Sequence, residues 1–155
     1  MIKRIVIALS IIALSAPLFG QTVDDRKKKA ESLVRKASAA CKEQGQEKAF
    51  AAINDKKGPF TEGEYYIFVY DLDGICQAHG LQPEKIGKAL IDLKDINGYP
   101  YMMHFVRTAK GEKGEGWVDY VQKNPTTGKP QKKTSFILRV PGKNFFMGCG
   151  TYLND

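Results

Sequence analysis

Apolar residues recur at Ala30, Leu33, Val34, Ala37, Ala40 and Cys41, in steps of three and four that lay one narrow stripe along a helix. Thr22 stands three residues ahead of Asp25, the spacing of a capping box, and Gly45 is a natural stop. The pattern predicts a helix over 23–44, and a second, shorter one over 47–53. The period then drops to two. Tyr65-Tyr66-Ile67-Phe68-Val69-Tyr70 is dense in aromatic and β-branched residues and reads as a strand, and 75–79 returns after the Asp71-Leu72-Asp73-Gly74 turn. Residues 81–111 mix loop and helix, with Pro100 placed to open a helix and Met102, Val106 and Ala109 on one face. Three strands follow at 116–123, 132–140 and 145–152. Helices segregated from five antiparallel strands argue for an α+β domain. The long helix covers one sheet face, and the crossing between the second and third strands arches over the other and encloses a cavity.

The segment before this pattern is of another kind. Lys3-Arg4 precede an apolar run over 5–14, then small residues and Pro17, before polar sequence starts at Gly20-Gln21. That is the anatomy of a secretory signal peptide, and the run is short for a membrane-spanning helix. The expectation is a cleaved signal over residues 1–20 and one domain over 22–155, in the periplasm or secreted; an uncleaved N-terminal anchor is the lesser alternative.

At 155 residues the chain suits one domain, and its 43% apolar and 26% charged residues are those of a folded protein. Lys and Arg number 24 against 17 Asp and Glu; setting Lys3 and Arg4 aside leaves 22 against 17, or about +5. The excess favours small anions or an acidic surface. Scattered positive residues in an exported chain argue against nucleic acid. Cys41, Cys76 and Cys149 form an odd set, so at least one thiol is left over even with a bridge; all three read as small buried apolar residues.

The Asp-x-Asp-Gly string lacks a third carboxylate and has Gln82 where a calcium loop needs a bidentate Glu, so it reads as a turn. Cys76 and His79 are the nearest thing to a nucleophile pair, but positions i and i+3 of a regular strand face opposite ways. No Gly-x-Ser-x-Gly, Ser-x-x-Lys or His-Glu-x-x-His string occurs, nor a Cys-x-x-Cys-His haem site. No enzymatic centre, metal or cofactor is expected.

The order and spacing of several pieces resemble the single Cache domain family, the extracellular PAS-like sensor module. They are the Asp-x-Asp-Gly turn followed by Ala78-His79, Ile86-Gly87-Lys88, Asp95-x-Asn97-Gly98, Gly116-Trp117-x-x-Tyr120, and Val140-Pro141-Gly142 leading to Gly148-x-Gly150-x-Tyr152. The resemblance covers about residues 65–152. It implies a sheet ordered 2-1-5-4-3 and a pocket for small organic molecules, often carboxylates. Such domains usually sit between two membrane helices of chemoreceptors or kinases. This chain stops at Asp155, directly after the last strand, so the expectation is a stand-alone exported form that reports to a membrane signalling partner.

An anion site needs a cation or fixed donors beside an apolar wall. Lys133, by this resemblance, is the cation, with Trp117 and Tyr120 on the neighbouring strand. His79 falls where the family pattern has histidine; a neutral ring there donates to a ligand oxygen and responds to mildly acidic pH. Tyr101 and Arg107 on the crossing helix reach down toward the same place, whereas His104 reads as a surface residue. The resulting expectation is a small-carboxylate-binding sensor, with a homodimer through the N-terminal helix as a possible assembly. The alternatives are an interaction protein whose cavity is filled by its own side chains, or a haem or redox accessory protein.

Overall fold

The structure is a computed structural model and describes residues 21–153. The signal segment expected over residues 1–20 lies outside the described residues. Helix α1 (Val23–Gln44) starts at the foreseen capping box: the Thr22 hydroxyl accepts from the Asp25 N–H, and the Asp25 carboxylate accepts from the Thr22 N–H. Its stripe of Ala30, Val34, Ala37, Ala40 and Cys41 is buried against the sheet. Helix α2 (Gln46–Asn54) folds back on α1 and buries Ala49 and Ile53.

The five-stranded antiparallel sheet contains β3 (Phe68–Asp71), β4 (Cys76–His79), β5 (Glu115–Lys123), β6 (Pro130–Arg139) and β7 (Phe145–Tyr152), in the order β4-β3-β7-β6-β5. Counted within the sheet this is 2-1-5-4-3, the expected order. A two-stranded ribbon was not foreseen. The Ile67 N–H turns aside to donate to the Phe60 carbonyl, which detaches β2 (Tyr65–Tyr66) from β3 and lets it pair with β1 (Thr61–Glu62).

Two layers of core lie on either side of the sheet. Tyr65, Ile67, Val69, Phe136, Met147 and Cys149 point to α1 and α2, whereas Phe68, Tyr70, Val118, Tyr120, Ile137 and Phe146 point to α3 (Tyr101–Lys110). The crossing is pinned at both ends. Residues 87–90 run beside β4, with the Cys76 N–H donating to the Lys88 carbonyl and the Leu90 N–H to the Gly74 carbonyl. Further on, the Asp95 carboxylate accepts from the N–H groups of Asn97, Tyr99 and Val121, which ties the loop to β5. Those bonds hold the Asp95 carboxyl below its usual range against the opposing effect of desolvation. The Asp71 carboxylate braces its own turn, accepting from the Asp73 and Ile75 N–H groups and the Gln77 side chain.

Candidate anion site under the crossing helix

Lys133 stands near the start of β6 on the α3 face, and is 1% exposed. Its Nζ donates to the Tyr66 hydroxyl at 3.1 Å and lies over the rings of Tyr66 and Tyr152, 4.7 and 4.8 Å from their centroids. No carboxylate pairs with it among the described residues. Burial opposes its charge, but the surrounding phenols, Tyr120 foremost, outweigh burial and hold the ammonium above the ordinary lysine range. An ion desolvated in a protein costs several kcal/mol. Two ring faces, at up to about 2 kcal/mol each, and one hydrogen bond offset much of that without neutralising the charge.

Two glycines make this placement possible. A methyl group at Gly150 would sit 2.3 Å from Ser135 Oγ and 2.8 Å from Lys133 Cε; one at Gly148 would sit 2.3 Å from the Phe68 ring. The Gly148-x-Gly150 spacing therefore clears a trough across β7 in which the lysine stem and the Phe68 ring lie.

Around Lys133 the site closes with aromatic and polar groups. The Tyr120 hydroxyl bonds Ser135 Oγ at 3.0 Å, and the Tyr120 ring stacks on Tyr101 at 4.7 Å. His79 is 3% exposed and stacks on Tyr66 at 5.2 Å. Its Nδ1 accepts from the N–H groups of Leu81 and Gln82, which fixes the proton of the neutral ring on Nε2. Burial first, then the charges of Lys85 and Lys133, push its pKa down to about 3. The ring is therefore a fixed neutral donor, not the sensor of mild acidity expected from the sequence. Tyr66, Phe68, Tyr70, His79, Tyr101 and Tyr120 surround a cavity of about 20 Å³, with Gln82, Lys85 and Gln122 at its polar edge. That volume holds about one water molecule. The roomy hollow expected from the sequence is largely filled here by side chains.

Of the six residues singled out in the sequence, the structure brings together His79, Tyr101, Tyr120 and Lys133. Trp117 belongs to the other face. Its ring packs on Phe136 at 5.3 Å in the α1 layer, under the Lys27 ammonium at 4.4 Å. The reason is strand parity, because Trp117 and Tyr120 are three residues apart and Val118 and Tyr120 point to α3. Arg107 is exposed on α3, outside the buried face of Tyr101, Met102, Phe105, Val106 and Ala109. Parity also corrects the reading of Cys76 and His79. A bulge shifts the register so that Tyr70 faces Cys76 and Val69 faces Ala78, which turns Cys76 to the same face as His79. The Cys76 thiol is buried and pushed up to about 11, the opposite of nucleophile activation. Cys41 and Cys149 are likewise free and buried.

Tyr66, Lys85 and Ser135 were missed. Parity was the available signal: Tyr66, Phe68 and Tyr70 alternate with Tyr65, Ile67 and Val69, and Ser135 is two residues from Lys133. Among the described residues no cluster of three or more His, Cys, Asp or Glu could hold a metal, and no helix is long and apolar enough to cross a membrane.

The sheet order, the covering helix and the crossing helix over the other face define a PAS-like fold. The Cache domain family model matches residues 19–155, and the chain belongs to that family. A solved structure of a methyl-accepting chemotaxis protein from Vibrio parahaemolyticus superposes with a TM-score of 0.70 at 25% identity, over 86% of this chain and 92% of that one. A Cache chemosensory domain solved for its carboxylic acid recognition gives 0.70 at 24% identity, over 86% of this chain and all of that one. In sequence, 90 residues are 34% identical to the sensor histidine kinase MctS of Rhizobium johnstonii. They make up 58% of this chain and 19% of that protein, so the chain spans about a fifth of that kinase's length.

Proposed function

We propose that this Cache domain captures a small organic carboxylate at Lys133 and reports its capture to a membrane signalling partner. The observation that carries the reading is the Lys133 side chain, buried and without a carboxylate partner among the described residues. A carboxylate supplies the missing counter-ion, and the phenols of Tyr101 and Tyr120 with His79 Nε2 supply donors to its oxygens. Half-buried Lys85 adds a second positive charge at the edge.

Admission requires a movement, because about 20 Å³ is too small for any carboxylate. Tyr66 is the element placed to make it. Its ring borders the inner cavity on one side and, on the other, an outer space of about 110 Å³ lined by Gly63, Glu64, Leu81, Asn124 and Tyr152 among others. Rotation of the half-buried Tyr66 joins the two spaces and frees Lys133 for the ligand. The closed and opened states then differ in affinity for the anion, and that difference is the energy available for signalling. Export by the signal segment of residues 1–20 belongs to the same proposal.

Thermal unfolding with a panel of two- to four-carbon carboxylates tests the reading. At one hundred times its dissociation constant, a ligand stabilises the fold by about 2.7 kcal/mol. A second reading, an interaction module with no ligand, is favoured by the small cavity, and requires that no member of the panel shifts the transition.

A further inference from the structure

A second, wider cavity lies on the other side of the sheet. A groove of about 810 Å³ runs between the C-terminal half of α1, the start of β5 and the corner between β6 and β7. Its floor is apolar, formed by Ala39, Leu138, Val140 and Pro141. Five of its lining residues are cationic and one is acidic. The acid, Glu115, is taken up by Arg35, whose guanidinium bonds both its oxygens at 3.2 and 3.0 Å and also reaches Glu31 at 2.8 Å. That leaves Lys42, Lys113, Arg139 and Lys143, all exposed and none with a carboxylate partner among the described residues.

We infer that this groove is a second ligand site, for an amphiphilic organic anion: a carboxylate or sulfonate carrying an aliphatic or aromatic body. The four unneutralised cations at the rim select negative charge, and the floor rewards an apolar body that inorganic phosphate or a two-carbon acid lacks. The volume is that of small-molecule sites. Its thirteen lining residues fall short of the twenty to thirty per side of a standard protein interface. Two of its walls, α1 and β5, are bridged by the Arg35–Glu115 pair. The site is on the face opposite Lys133, so both sites can be filled at once, and the inference stands without the reading of the inner cavity.

Calorimetric titration of the full chain with decanoate, decyltrimethylammonium and acetate tests it at low salt, where rim charges are least screened. Decanoate is expected to bind at least tenfold more tightly than decyltrimethylammonium. The double substitution Lys42→Glu/Lys143→Glu, at exposed positions that the fold tolerates, is expected to weaken decanoate at least tenfold. Lys133→Met is expected to leave it unchanged. Equal binding of the two detergents, no binding of decanoate, or loss in Lys133→Met with retention in the double variant overturns the inference. Binding of an acidic octapeptide without binding of decanoate overturns it too, in favour of a protein-docking surface.

Discussion

The Lys133 ammonium donates to the Tyr66 hydroxyl at 3.1 Å, and the same Tyr66 ring is the wall between the inner cavity and the outer space. One side chain thus both accepts from the buried ammonium and lines the two spaces. A carboxylate arriving at Lys133 competes with that phenol oxygen.

Tyr66→Phe keeps the ring and removes the competitor. Small-carboxylate affinity is expected to rise about two- to tenfold, the equivalent of one hydrogen bond of about 0.5–1.5 kcal/mol. Unfolding stability is expected to fall by about as much, since Lys133 loses its acceptor. Calorimetry and urea denaturation measure the pair. Weaker binding in Tyr66→Phe would instead make the hydroxyl a ligand contact.

Gly150→Ala intrudes on both Ser135 Oγ and the lysine stem. Overpacking of this kind costs about 1–3 kcal/mol, and the displaced ammonium is expected to lose at least tenfold in carboxylate affinity. A variant as stable and as tight as the parent would mean that the trough across β7 is looser than its contacts indicate.

His79 sets an acid limit on the fold. Its pKa falls from 6.5 to about 3 on burial. Between those values the unfolded chain binds a proton that the folded ring does not, so stability falls as pH drops through the window, by about 1.4 kcal/mol per pH unit from this residue. His79→Asn keeps an acceptor for the Leu81 and Gln82 N–H groups. It is expected to flatten the fall in melting temperature between pH 6.5 and 4. An unchanged slope would place the acid sensitivity elsewhere.

Much of this fold was legible because its signals are local. The capping box at Thr22 and Asp25 and the stripe from Ala30 to Cys41 specify α1 without tertiary help, and the glycine turns punctuate the strands. The site was harder to read for a geometric reason. Strand parity decides which side chains meet, and the same i to i+3 rule that separates Trp117 from Tyr120 was invoked for Cys76 and His79, where a bulge cancels it. The bulge depends on the pairing of β3 with β4 and leaves no mark in composition. The closure of the cavity was equally invisible, since Phe68, Tyr101 and Phe105 fill it only once α3 is docked. The role of Gly148 and Gly150 follows from close approach between strands, which spacing alone does not express.

Lys133→Met gives the most direct measurement. It removes the charge while keeping a long apolar stem, and replacing an unpaired buried ion by an apolar group is often neutral or stabilising. In calorimetric titrations with acetate, propionate and lactate, the parent protein is expected to bind at least one of them, and Lys133→Met none, with unfolding stability equal or higher. Retained carboxylate binding in a folded Lys133→Met protein would contradict the account.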